Sequence, residues 1–238
     1  MRPDVLVLLI VALAGELLAS ALIADPASPA MRAYRVAHLL EMAALLVLVL
    51  RGLGLATAVS RLIAAGLVFS LMGDFINSFL VDLSHVVVPQ TLLSIPPFVV
   101  AHGCYVAAFL WLLRDAPSPP VTRNWVPVLL AWPLLAVGLW RLLIDPAAPS
   151  LLQNLSLGYA FVVTLMGLVA LMLGWRLGRV AWLPALGGLL FVVSDSLIGA
   201  FLLDGPDRPL WASQAIWASY FAAQCLIAQA AGLRAAAR

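Results

Sequence analysis

Eight runs of about twenty apolar residues govern what this chain can fold into, because each is long enough to cross the roughly 30 Å hydrocarbon layer of a bilayer. They lie at about 4–24, 32–50, 61–81, 91–113, 125–143, 151–173, 181–203 and 211–233. Between them stand "DPASPAMR", "RGLG", "RDAPSPPVTRN", "DPAAPS", "GWRLGR" and "DGPDRP", which concentrate charge, Pro and Gly. The break after the third run, "VDLSHVVVPQ", is the least marked. Only 10% of the residues are charged and 64% are hydrophobic, whereas a soluble domain runs near a quarter charged. The expected fold is therefore all-α: a polytopic membrane protein, one transmembrane helical domain over residues 1–238, built as a bundle of eight spans. The first run reads as a span and not as a signal peptide, since it is long enough to cross and Glu16 interrupts it.

An even number of spans puts both termini on one side. That side would carry nine arginines (Arg2, Arg51, Arg61, Arg114, Arg123, Arg176, Arg179, Arg234 and Arg238) against four on the other (Arg32, Arg35, Arg141 and Arg208). Positive charge stays in the cytoplasm, so both termini are expected there. Every basic residue is Arg, a bias compatible with a GC-rich bacterial genome and hence with a bacterial cytoplasmic membrane. A net charge of +2 implies no nucleic-acid partner. Cys104 and Cys225 lie in apolar segments without metal-type neighbours and read as packed thiols.

Within these runs a few polar residues stand out. Asp74 in "LMGDFINSFLVD" and Asp195 in "FVVSDSLIGAF" have no Lys or Arg nearby in sequence. A charged side chain at a helix centre costs roughly 2.5–3.5 kcal/mol by insertion scales, so such groups face the bundle interior. Counted from the cytoplasmic end of each span, Asp74, Asp195, Glu16, His102 and Tyr220 lie eleven to fourteen residues in, and Tyr105, Glu41 and Gln224 eight or nine. Six spans thus place a polar side chain in one layer. Asp74 and Asn77, His38 and Glu41, and His102 and Tyr105 are three apart, and Tyr220 and Gln224 four apart, so each pair shares a helix face. Gln224 and Asn77 can act as interhelical hydrogen-bond glue, and His102, Tyr105 and Tyr220 can pack or line a site. Two carboxyls with no basic partner are poor structural devices, and Asp74 and Asp195 are the candidate catalytic pair.

Two close carboxyls cannot both ionise cheaply, so they share a proton and supply an acid and a base together. Intramembrane peptide hydrolysis, proton-coupled transport and acid-catalysed cleavage of a lipid bond all use such a pair. Presenilin-like proteases carry Gly-x-Gly-Asp and Tyr-Asp, but here Leu71 stands at the first Gly and Ser194 precedes Asp195. Transport is usually accompanied by helices broken at midplane, for which Pro96-Pro97 is the one good candidate. "GDFINSFLVD" and "SDSLIGAFLLD" also echo each other across four spans, as a parallel duplication would.

"GD" in the third span, "AHGCYVAAF" in the fourth, "LLFVVSDSLIG" in the seventh and "SYFAAQCLI" in the eighth occur in the order and spacing of a known set of signatures. Together they resemble the lysoplasmalogenase (YhhN-like) family, with its Gly-Asp, Ala-His-x-x-Tyr, Ser-Asp-Ser and Tyr-x-x-x-Gln motifs on an eight-helix membrane fold. The chain departs from that pattern in the second span, "RVAHLLEMAALL", where the family carries Lys-Pro. It departs again in "QTLLSIPPFVV" before His102 and at Asn77, where the family more often has an apolar residue. The resemblance implies hydrolysis of the vinyl ether of a lysoplasmalogen to a fatty aldehyde and a glycerophospho-head group. Asp74 and Asp195 would then be catalytic, and His102, Tyr105, Tyr220, Gln224, Asn77 and Glu41 would bind substrate. The expected partners are a lysophospholipid and membrane lipid, and the chemistry calls for no metal or redox cofactor. A proton-coupled transporter or a lipid-binding protein with a buried polar layer is the alternative.

Overall fold

A computed structural model of the chain describes residues 2–22, 29–83, 90–114, 122–144, 150–201 and 210–233. Among them are eight α-helices: α1 (Pro3–Leu22), α2 (Pro29–Leu53), α3 (Ala58–Leu83), α4 (Gln90–Arg114), α5 (Thr122–Leu143), α6 (Ser150–Leu177), α7 (Trp182–Phe201) and α8 (Leu210–Ala228). Short 3₁₀ turns follow α6 (Gly178–Ala181) and α8 (Gln229–Gly232). Each apolar run of the sequence lies on one of these helices. Four stretches are long and apolar enough to cross a membrane: Arg32–Gly52, Ala58–Ser78, Leu93–Arg114 and Ser150–Phe201.

Local chemistry sets the helix ends. Gly54 adopts φ +58° just past α2, and its N–H donates to the Leu50 carbonyl at 3.0 Å, the left-handed cap that glycine makes without steric cost. Thr57 then opens α3: its Oγ1 accepts from the Ser60 N–H at 3.0 Å while its own N–H donates to Ser60 Oγ at 3.1 Å. This reciprocal pair satisfies two donors that a helix start leaves open. Gly178, at φ +71°, divides the 52-residue apolar stretch into the separate helices α6 and α7. Pro96 and Pro97 do not break α4, which runs from Gln90 to Arg114 through both. The midplane interruption expected of a transporter is absent there.

The pairs α6–α7, α7–α8 and α3–α4 pack antiparallel. On α6 and α7, Gly174 meets Ala185, and Gly167 meets Gly188 and Val192. On α7 and α8, Gly187 meets Ala223 and Ile227, and Phe201 meets Trp211. On α3 and α4, Gly66 lies against the Tyr105 ring and Gly73 against Phe98. Small residues at these seams let backbones approach, the usual basis of helix association where lipid leaves no hydrophobic drive between helices. A Cβ at Gly187 would lie 2.8 Å from the Ala223 carbonyl oxygen, so only glycine fits this α7–α8 contact.

Neighbour contacts among the described residues close a circuit: α1 on α2, α2 on α3, α3 on α4, α4 on α6, α6 on α7, α7 on α8 and α8 back on α1. Helix α5 stands outside it, against α6 and the edge of α7. Its Leu134 and Leu142 are 75% and 81% exposed, and Leu129 and Leu130 are exposed with them. Helices α1 and α5 would be equivalent in a four-helix duplication, yet one lies in the circuit and the other outside it. The packing therefore gives the sequence echo no structural counterpart. Val7, Val11, Leu17 and Leu18 of α1 face outward, while Asp74, His102, Ser194 and Gln224 are buried within a largely apolar core. An apolar exterior with its ionisable groups turned inward is what a bilayer demands of a helical bundle.

Candidate active site

Five helices of the circuit bring polar side chains to its interior. Helix α3 supplies Asp74, α4 supplies His102 and Tyr105, α6 supplies Tyr159, α7 supplies Asp195, and α8 supplies Tyr220 and Gln224. Asp74 is 7% exposed, and its Oδ2 accepts a 2.7 Å hydrogen bond from the Tyr220 hydroxyl. The Asp195 side chain is 8% exposed, and its Oδ2 accepts a 2.7 Å bond from the Tyr159 hydroxyl. Each carboxylate thus has its own phenol donor on a neighbouring helix.

His102 is fully buried on α4 and belongs to the Asp195 side of the site. Its Nε2 lies 3.0 Å from the Tyr159 hydroxyl and 3.6 Å from Asp195 Oδ2. A phenol has one proton. When Tyr159 gives it to Asp195, the phenol oxygen is left to accept from His102 Nε2 whenever that nitrogen carries a proton. His102 Nδ1 is then a buried atom without a hydrogen-bond partner. On the Asp74 side, Gln224 Oε1 accepts from the Tyr105 hydroxyl at 2.7 Å, Ser70 Oγ lies 3.4 Å from that hydroxyl, and Gln224 Nε2 is buried without a partner. Phe191 separates the two halves, its ring 4.5 Å from that of His102 and 5.2 Å from that of Tyr220. The surroundings are aromatic and shielded from bulk solvent, a setting in which fixed dipoles act more strongly than in water.

Of the eight residues singled out in sequence, six gather here: Asp74, Asp195, His102, Tyr105, Tyr220 and Gln224. Asn77 sits one turn along α3 from Asp74, half-buried, and makes no hydrogen bond among the described residues. Glu41 lies elsewhere. Its Oε2 accepts from the Trp217 indole N–H at 3.0 Å, in a second polar cluster between α1, α2 and α8. In that cluster Glu16 accepts from the Tyr34 hydroxyl and faces His38 Nε2 at 2.7 Å. The His38 ring stacks on Trp217 at 3.8 Å with the planes 12° apart. Gln214 Nε2 donates to the Glu16 carbonyl at 3.2 Å. Glu16 and Glu41 share the depth of the aspartates but sit at a different angular position around the bundle, and depth along a helix does not report angle. Trp217 and Tyr220 join the two clusters, their rings 5.2 Å apart.

Tyr159 is the site residue that sequence reasoning missed. It lies about fourteen residues from the cytoplasmic end of the sixth run, the depth of Asp195 in its own run, so counting depth in that span would have found it. A lone tyrosine in an apolar span costs little to bury, and so it signals far more weakly than a carboxylate.

A family model matches residues 33–231, a stretch that contains every member of the aspartate site and excludes α1 and the first turn of α2. No curated protein and no solved structure matches the chain. The apolar helices are those of an integral membrane protein, and with most of its length matched the chain belongs to the YhhN family, which includes lysoplasmalogenases.

Proposed function

We propose that this protein is an intramembrane hydrolase that cleaves the vinyl-ether bond of lysoplasmalogens, with Asp74 and Asp195 as its acid–base pair. The observation that carries this is the pair itself: two carboxyls from α3 and α7 with little exposure, each held by a tyrosine hydroxyl. All eight helices would cross the membrane with both termini in the cytoplasm, in keeping with the arginine bias.

Vinyl ethers hydrolyse by rate-limiting proton transfer to the β-carbon, which leaves an oxocarbenium ion. Asp195, as acid, gives that proton, and the Asp74 carboxylate stabilises the cation. Water then adds to the cation and loses its proton to Asp74, forming a hemiacetal. As the hemiacetal collapses, its hydroxyl proton returns to Asp195 and the Asp74 proton passes to the departing glycerol oxygen. One water is consumed, an aldehyde and an alcohol are released, and both carboxyls regain their starting states. The steps need only an acid, a base and water. His102, Tyr105, Tyr220 and Gln224 would orient the water and the ether oxygen.

Purified protein incubated with lysoplasmenylethanolamine is expected to release free fatty aldehyde, detected by mass spectrometry of the lipids. An ester lysolipid serves as the comparison substrate. Proton flux in liposomes without lipid breakdown would favour a transporter instead. The unbroken course of α4 through Pro96 and Pro97 speaks against that alternative.

A further inference from the structure

We propose that Tyr159 is a proton relay between His102 and Asp195, so that the acid of this site is a three-residue unit from α4, α6 and α7. The inference rests on the hydrolase proposal for its catalytic meaning, but the relay itself can be observed without turnover. Two hydrogen bonds stand in series, 3.0 Å from His102 Nε2 to the Tyr159 hydroxyl and 2.7 Å from that hydroxyl to Asp195 Oδ2. The direct His102–Asp195 separation, 3.6 Å, is too long for a hydrogen bond. A proton moving between them therefore passes through the phenol.

A phenol can accept one proton while donating another. In the relay step the His102 Nε2–H bond breaks as an O–H bond forms on Tyr159. At the same time the Tyr159 O–H bond breaks as an O–H bond forms on Asp195. Imidazolium and carboxylate become neutral imidazole and carboxylic acid, and the tyrosine ends as it began. Burial disfavours the separated charges, since little water reaches His102 or Asp195 to solvate them. The neutral arrangement is the one in which Asp195 holds the proton that a vinyl ether needs. His102 then keeps its other proton on Nδ1, a buried atom without a hydrogen-bond partner among the described residues.

A structural tyrosine that merely orients Asp195 would leave His102 acting on its own, and a double-mutant cycle separates the two cases. Y159F and H102Q are each expected to lower kcat/KM about 100-fold, within the range of a lost acid–base element. The double variant is expected to be no worse than Y159F alone. Losses that multiply to about 10⁴-fold would overturn the relay. The readout without turnover is the infrared carbonyl band of protonated Asp195, identified by its disappearance in D195N. H102Q should shift the frequency of that band in the wild-type background and leave it unmoved in the Y159F background. A band equally sensitive to His102 in both backgrounds would overturn the relay. A coupled band in a protein that releases no aldehyde would retain the relay and reject the hydrolase proposal. Should Y159F fail to fold, 3-fluorotyrosine at position 159 keeps the ring and the hydrogen bonds while changing hydroxyl acidity. A changed rate or a shifted band then supports the relay, and no change in either contradicts it.

Discussion

Tyr220 on α8 donates a 2.7 Å hydrogen bond to Asp74 on α3, joining residues 146 positions apart in sequence at the centre of the bundle. That bond holds the Asp74 side chain in one orientation, and in the proposed mechanism Asp74 balances an oxocarbenium ion and takes a proton from water. Removing the hydroxyl should weaken both functions. Tyr220→Phe is expected to lower kcat/KM about ten- to a hundredfold, the equivalent of one hydrogen bond to a charged group. Aldehyde release at sub-saturating substrate measures it, and an unchanged rate would separate Tyr220 from the chemistry.

An acid and a base working together also predict a pH dependence. At low pH both carboxyls are protonated and no base remains, so the rate falls. At high pH both are ionised and no acid remains, so the rate falls again. The kcat/KM profile should be bell-shaped. A profile that rises or falls monotonically across the range in which the protein stays folded would contradict a paired mechanism.

The second polar cluster makes a prediction about stability. The Glu16 side chain is 7% exposed and that of His38 12%, and Glu16 also takes the Tyr34 hydroxyl. Glu16→Ala removes the carboxylate that faces His38 and accepts from the Tyr34 hydroxyl, at a cost of about 2 kcal/mol. Thermal unfolding in detergent should show a clearly lowered midpoint. An unaltered midpoint would mean that the pair is solvated or dispensable in the fold.

The α7–α8 seam gives a prediction based on packing alone. Any side chain at Gly187 meets backbone atoms, the Ala223 carbonyl at 2.8 Å and the Ile227 nitrogen at 2.9 Å, which cannot rotate away. Gly187→Val should destabilise the protein by about 2 kcal/mol or more. It should also disturb the site, since Asp195 and Tyr220 sit on the two helices being pried apart. Unfolding midpoint and aldehyde release are both expected to fall. A fully stable, fully active variant would show that these helices are spaced more widely than the structure has them.

How much of this was legible in sequence follows from the strength of each signal. The helices were legible because a hydrophobic run of about twenty residues admits few folds in a bilayer. Their ends were legible where Gly54 and Gly178 fall in the breaks "RGLG" and "GWRLGR" and adopt the left-handed backbone that glycine allows. Asp74 and Asp195 were legible because an unpaired carboxylate in an apolar run is expensive and needs a reason. The place of α5 outside the circuit was not, because a span facing lipid on most sides and a span facing its neighbours are both uniformly apolar. Glu41 was grouped with the wrong partners for a related reason: its depth matches the aspartates, but only packing reveals that it faces Trp217.

The most direct test of the account is aldehyde release from lysoplasmenylethanolamine by the purified wild type, Asp74→Asn and Asp195→Asn, with folding checked by thermal unfolding. Wild-type protein should release aldehyde, and each variant should fold yet lose activity at least 100-fold, the lower range for a removed acid–base group. A folded variant of either aspartate that turns over at close to the wild-type rate would contradict the account.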